Sequence, residues 1–246
     1  MEPIFKTTFS VEAIHLDRYG RARPSALLMF AQEAAGGHCQ ALSLDWDTLA
    51  KQDLFWAVLR HKVRLSRLPV AGDVLTVETW PMPTTRVAFP RSTIAYDQNG
   101  QEVFRSVSIW VLMDRNKRTM VLPGKSGVEL TGTVRGNELS VPANLHPSLL
   151  ENHTSRQVLF SDLDRNGHMN NTRHLDWLDD LLPSAFHEAH PVREFTICYL
   201  SEAKEGELLE LNWALSDGPT LTVNARRGNT DVSYEKENVF SAQVLF

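Results

Sequence analysis

From its start the chain alternates apolar and polar positions at Phe5, Val11 and the residues between them, the period of a half-buried strand, and then reaches the polar turn Leu16-Asp17-Arg18-Tyr19-Gly20. After Pro24 the period lengthens: Leu27, Leu28, Phe30, Ala31, Ala34 and Ala35 recur at three and four, which predicts a helix with one strongly apolar face and Pro24 in its first turn. Gly36-Gly37 either ends that helix or marks where it lies tightly against a sheet, and the pattern allows both. Residues 55–121 read as strands rich in Val, Thr, Ile, Trp and Phe, with turns at Ala71-Gly72-Asp73 and Asn99-Gly100. Segments 73–80 and 103–113 are long enough to cross a sheet. One long helix followed by long antiparallel strands predicts an α+β unit in which a sheet wraps its helix.

Residues 131–147, with Gly132, Gly136, Asn137, Pro142, Asn144 and Pro147, lack periodicity and read as a linker. Beyond it the programme restarts. Residues 156–161 are strand-like, a polar turn follows, Leu175, Leu178, Leu181 and Leu182 form a helical stripe stopped by Pro183, and strands return at 195–200, 208–215 and 221–225. The repeat is also literal: Leu-Asp-Arg-x-Gly starts at Leu16 and again at Leu163, and Gly72-Asp73-Val74-Leu75 is echoed by Gly206-Glu207-Leu208-Leu209. Two domains are expected, 1–135 and 148–246. The copies differ where chemistry is possible, because Asn166 stands against Tyr19 and His168 against Arg21. One active site, in the second half, is the natural inference.

Composition narrows the class. With 246 residues, 42% hydrophobic and 22% charged, the chain can bury a core and reads as an ordinary globular protein. A formal charge of −5 disfavours nucleic acid as the main partner. The basic strips at Arg60 to Lys62, Arg64, Arg67 and Arg226-Arg227 read as solvated surface, with docking of an acidic partner as the other reading. Cys39 and Cys198 form no CxxC pair, so neither a disulfide framework nor a zinc cluster is indicated. No apolar run suggests a signal peptide or a membrane span, and the expectation is a cytoplasmic protein without membrane or metal partners and without a cofactor.

The polar segment 162–171 leads directly into a helix, which Asn170 or Asn171 can cap. Asp162, Asp164, Asn166 and Gly167 match the first half of a calcium loop, but its twelfth position is Arg173, a guanidinium where the ion needs a carboxylate. Gly124-Lys125-Ser126 lacks the glycine-rich backbone of a phosphate loop, since Thr119 leads and Pro123 intervenes. His187 and His190 have no convincing third ligand and read as surface.

The run Phe160-Ser161-Asp162-Leu163-Asp164-Arg165-Asn166-Gly167-His168-Met169-Asn170-Asn171, followed by Trp177, strongly resembles the active-site segment of the acyl-ACP thioesterases, the bacterial relatives of plant plastid enzymes. Weaker patches at 63–80, 108–113 and 199–203 fall in the same order over nearly the whole chain. The resemblance implies a double hotdog fold, two fused helix-wrapped antiparallel sheet units, and hydrolysis of the thioester between a fatty acyl group and the phosphopantetheine arm of acyl carrier protein. It carries catalytic positions to Asp164, Asn166, His168 and Glu202. Plant relatives have a cysteine directly after the glutamate, whereas this chain has Ala203, so a thiol nucleophile there is excluded.

General-base and electrostatic catalysis on water, without a covalent intermediate, is therefore expected. Glu202 is the candidate base or water-orienting carboxylate and His168 its partner. Asn166 is the candidate donor to the acyl carbonyl, together with a backbone N–H at the start of the following helix, and Asp164 the residue that orients Asn166 or His168. The first half is expected to supply the acyl pocket, with Leu27, Leu28, Phe30 and Ala31 as lining candidates; Arg165 and Arg173 are candidates for contacting the acidic carrier protein. An acyl-CoA thioesterase, a hotdog hydratase or dehydratase, and a non-catalytic acyl-binding protein are the rival readings. Both a monomer and a homodimer fit the duplication.

Overall fold

The computed structural model describes residues 3–146, 150–228 and 238–246, which fall into two compact units, Met1–Pro142 and Ala143–Phe246. In the first, β1 (Phe5–Ser10) and a short 3-10 turn precede α1 (Pro24–Ala41) and α2 (Trp46–Ala50); β2 (Leu54–Leu65), β3 (Val74–Pro81), β4 (Phe89–Tyr96) and β5 (Glu102–Asp114) follow, then β6 (Met120–Val121) and α3 (Pro123–Ser126). The strand order is β1-β3-β4-β5-β2, antiparallel throughout, and β6 adds a short pair to the end of β5.

Helix α1 lies on β1 and β3 through the face the periodicity identified: Leu27, Leu28, Phe30, Ala31, Ala34 and Ala35 are all buried. Phe30 meets Phe9 at 5.2 Å between ring centroids. The helix runs straight through Gly36-Gly37 to Ala41. Of the two readings of the glycine pair, close approach holds at Gly37, where an added Cβ would come within 2.9 Å of the Phe5 ring. At Gly36 it would meet nothing within 4 Å.

Of the segment read as a linker, residues 131–142 are folded onto the first unit. Leu139 packs with Ala88, Val107, Ile109 and Val111, Thr133 N donates to Pro81 O at 2.8 Å, and Arg60 donates to Pro142 O at 2.9 Å. Gly132 allows this, since a Cβ there would sit 2.4 Å from Pro83 Cα. These attachments use backbone groups and Leu139, with polar side chains such as Arg135 to Glu78 at 2.7 Å, so they leave no periodic trace. Pro147 of that segment lies outside the described residues.

The second unit contains β7 (Asn152–Gln157), α4 (Arg173–Asp179), α5 (Ser184–Ala189), β8 (Glu194–Tyr199), β9 (Leu208–Ser216), β10 (Thr220–Arg227) and β11 (Asn238–Leu245). Its order, β7-β9-β10-β11-β8, repeats that of the first unit strand for strand. The duplication read from five residues therefore extends to the whole topology. Three details depart from expectation. Strand β7 begins four residues earlier than its apolar pattern, because it is an exposed polar strand, Asn152-His153-Thr154-Ser155-Arg156-Gln157. Strand β11 was not anticipated at all; it is buried on both faces and mixes Ser241 with Val239, Phe240 and Ala242, which blurs the alternation. Helix α4 has seven residues against the eighteen of α1, and Pro183 is followed by a separate helix, α5. The apolar stripe is still used: Leu175, Trp177, Leu178 and Leu182 are buried.

Three histidines are held neutral in these interiors. Burial lowers the pKa of His61 to about 3 and that of His174 to about 4; burial and then the nearby Arg91 lower that of His38 to about 4. The unfolded chain, with histidines near 6.5, takes up these protons first as pH falls. Their contribution to stability is present above about 6.5 and is lost progressively down to pH 3–4. The thermal midpoint is therefore expected to drop between pH 7.5 and 5, before most carboxylates titrate, and His61→Leu should flatten that drop because His61 Nδ1 has no partner to lose.

Candidate active site

The polar loop of the second unit is built around Asp164. Its Oδ1 accepts from the backbone N–H of Asn166 at 2.8 Å and of His168 at 3.4 Å, while Oδ2 accepts from Asn166 Nδ2 at 3.3 Å. Asp164 N donates to His168 O at 2.8 Å and closes the turn. Gly167 occupies the one left-handed position in the turn, with φ +76°. The chain then pairs with the segment before β9: Met169 N donates to Ala203 O at 2.8 Å, and His168 bridges Lys204. This pairing sets His168 beside Glu202. Their side chains meet at 3.1 Å, Nε2 to Oε2, with exposures of 12% and 39%.

All four polar positions expected from the sequence thus lie in one loop and its paired segment, and Glu202 reaches the others through β-type pairing that no linear motif displays. Ala203, at the position where a cysteine would be needed, is a buried methyl group. The expected N–H donor at the helix start is not offered by Thr172 or Arg173, which both donate to Asn170, at 2.9 Å each. Arg165 is exposed at the loop tip, and Arg173 pairs with Asp176 at 3.0 Å. Among the described residues no three His, Cys, Asp or Glu side chains converge as a metal site would require.

Arg227 was missed. Read from sequence as part of a solvated strip, it donates to the Glu202 carbonyl, to Ser201 Oγ at 3.0 Å and to Glu207 Oε1 at 3.2 Å. It therefore clamps the segment that carries Glu202. Arg67 of the first unit is tied down in a similar way, to Asp73 at 2.6 Å and Asp97 at 3.1 Å. Only the β10 register brings Arg227 to residues twenty positions away, so nothing local in the sequence signals it. Arg227→Met is expected to lower kcat several-fold with little change in KM, the signature of a misplaced reacting group. Equal loss in both, or neither, would make Arg227 purely structural.

The first unit keeps this backbone and lacks its chemistry. Asp17 Oδ1 accepts from Tyr19 N at 2.8 Å and Arg21 N at 3.0 Å, Gly20 has φ +76°, and Ala22 N donates to Pro69 O at 2.7 Å. Pro69 thus stands for Ala203, so Leu68 occupies the place of Glu202. Arg21 takes the place of His168, and its Nε contacts Asp17 Oδ2 at 3.1 Å.

The first unit instead holds a cavity of about 220 Å³, walled by Ala35, Gly36, Trp56, Phe89, Trp110 and Leu130 together with Gln32, Cys39 and Arg91. The four lining positions expected from sequence, Leu27, Leu28, Phe30 and Ala31, do not contribute to it; they are fully packed in the core. The cavity uses Ala35, from the edge of that apolar face, with Gln32, Gly36 and Cys39 beside it on α1.

Two hotdog units in one chain, only one of which carries a polar His–Glu loop, define a double-hotdog protein with a single candidate active site. Residues 2–122 match the model of the acyl-ACP thioesterase N-terminal domain and residues 148–239 that of the C-terminal domain. The chain belongs to the acyl-ACP thioesterase family. It is 26% identical over 235 residues to a chloroplastic palmitoyl-acyl carrier protein thioesterase of Gossypium hirsutum, covering 88% of this chain and 56% of that protein. It is 26% identical over 230 residues to a chloroplastic dodecanoyl-[acyl-carrier-protein] hydrolase of Cinnamomum camphora, covering 87% and 60%. The chain thus spans a little over half the length of these plant relatives. The crystal structure of an acyl-ACP thioesterase from Bacteroides thetaiotaomicron shares its fold at a TM-score of 0.88 and 22% identity, over 99% of this chain and 98% of that one. The 12:0-ACP thioesterase from Umbellularia californica does so at 0.81 and 22%, over 100% and 97%.

Proposed function

We propose that this chain hydrolyses fatty acyl-ACP thioesters to free fatty acid and holo-ACP, with water as the nucleophile and no covalent intermediate. The observation that carries the reading is the His168–Glu202 pair at 3.1 Å in the polar loop of a family member. A water held between imidazole and carboxylate would lose a proton to one of them as its oxygen attacks the acyl carbon. The Asn166 amide is the donor assigned to the carbonyl oxygen as it becomes an oxyanion. Collapse of that intermediate breaks the C–S bond, and the departing thiolate takes up the proton held by the pair. Asp164 acts through Asn166 and His168, whose backbone it fixes.

The acyl chain is assigned to the first unit, which has the cavity and not the polar loop. Acyl carrier protein is the proposed partner, with Arg165 and Arg173 as candidate contacts, because the relatives are named as carrier-protein hydrolases. The deciding experiment is the initial rate of thiol release across matched acyl-ACP and acyl-CoA series. A preference for ACP with a chain-length maximum is expected; equal or faster release from CoA would overturn the partner, and no release from folded protein would overturn the hydrolase.

A further inference from the structure

The cavity of the first unit contains a charge that a hydrocarbon would leave unanswered. Arg91, on β4, is 6% exposed and lines the cavity. Its guanidinium meets neutral partners: Nη1 lies 3.2 Å from His38 Nδ1 and 3.3 Å from Thr79 Oγ1. Because Arg stays protonated, His38 must accept through Nδ1, and burial together with the adjacent guanidinium keeps that ring uncharged. Burial likewise pushes the Cys39 thiol up, away from the thiolate that would balance Arg91. Among the described residues no carboxylate lies within ion-pairing distance of Arg91. Asp45, the one acid on the wall, is engaged at the start of α2: Oδ1 accepts from Asp47 N and Thr48 N, and Oδ2 accepts from Thr48 Oγ1.

A second donor faces the same need. Gln32 lines the cavity from α1, and its Nε2 is buried with no hydrogen-bond partner. Two donors from different elements, a guanidinium with only neutral acceptors and an amide nitrogen with none, therefore border a single, largely apolar space whose one carboxylate, Asp45, is held by the start of α2. Buried polar groups are normally satisfied and buried charges normally paired. The missing complement is an anionic group with two acceptor oxygens. Arg91 is desolvated by the fold itself, so a ligand carboxylate entering the cavity bears only its own dehydration, and a guanidinium is the side chain best matched to a carboxylate.

We propose that this cavity receives the far end of an acyl chain terminating in a carboxylate, with Arg91 as counter-charge and the Gln32 amide as second donor. The substrate class is thus the ω-carboxyacyl thioester. This rests on the assignment of the acyl chain to the first unit, and the test separates the two. Trp46, Trp56 and Trp110 border the cavity, so its occupancy is read from tryptophan fluorescence without turnover.

The experiment titrates the protein with hydrolysis-resistant pantetheine amides of equal chain length, ending in methyl or in carboxylate, over a series of lengths. At the best length the carboxylate-ended ligand is expected to bind at least about 10-fold more tightly, as for a site whose polar groups are left unpaired by the analogue. Arg91→Met should reverse that order, and Gln32→Leu should reduce it. Gly36→Phe, which fills open space on the same wall, should abolish the fluorescence response to both ligands. Methyl-ended ligands binding the unaltered protein equally or better, or no binding of either, would overturn the proposal even if Arg91→Met did not fold. Absence of acyl-ACP hydrolysis alongside a clear carboxylate preference would overturn the hydrolase reading and leave the cavity assignment standing.

Discussion

Replacing His168 by alanine or Glu202 by glutamine is expected to lower thioester turnover by about 10²–10⁴-fold, the usual contribution of a positioned acid or base. Their side chains meet at 3.1 Å, and neither residue belongs to the buried core. Thermal midpoints should therefore stay close to that of the parent, as for partly exposed positions outside the core. On the proposed mechanism the two groups act on one water, so the double variant should lose little more than the worse single one. Turnover within a few-fold of the parent in either folded single variant would remove that residue from the mechanism. Additive losses in the double variant would show that the two act on separate steps.

The second large effect comes from comparing equivalent aspartates. Asp164→Ala and Asp17→Ala each remove a carboxylate that gathers backbone N–H groups in the same turn. Each should cost about 1–3 kcal/mol of stability, since each removes an acceptor for backbone N–H groups, and Asp17→Ala also removes the Arg21 ion pair. Their activities should diverge. Asp164→Ala is expected to lose about 10²-fold or more in kcat, through displacement of the Asn166 donor and His168. Asp17→Ala, assayed below its melting transition, should remain within about 3-fold of the parent. Comparable losses from both would mean that the first loop shares in the chemistry.

How much of this was readable in advance depends on how each feature is encoded. The apolar face of α1 is a repeated local signal and was legible to the residue; the four polar positions that the structure brings together were pointed to by a resemblance, three of them in one short run. Gly37 was ambiguous because what it accommodates, the Phe5 ring, is thirty-two positions away in sequence. Strand β7 was shifted because an exposed strand carries no apolar alternation, and the short α4 could not be inferred from a stripe that continues to Leu182 across a broken helix. The cavity was misplaced along α1 for a related reason. Periodicity finds the face that packs best, whereas a cavity is bordered by the neighbouring face, where Gln32, Gly36 and Cys39 look unremarkable in sequence. Arg227 was lost to the same blindness toward strand register.

The Leu68-for-Glu202 exchange has an evolutionary consequence. A lone hotdog repeated by symmetry must keep every change compatible with both recognition and reaction, since each mutation appears in both copies at once. Two copies in one chain are free of that constraint: here the first loop has the same turn as the second, with Tyr19, Arg21 and Leu68 where the second has Asn166, His168 and Glu202. On the proposed division of labour, residues 1–142 can diversify toward new acyl groups as a module, and exchanging that module between family members should transplant preference while leaving the bond-breaking apparatus with its original owner.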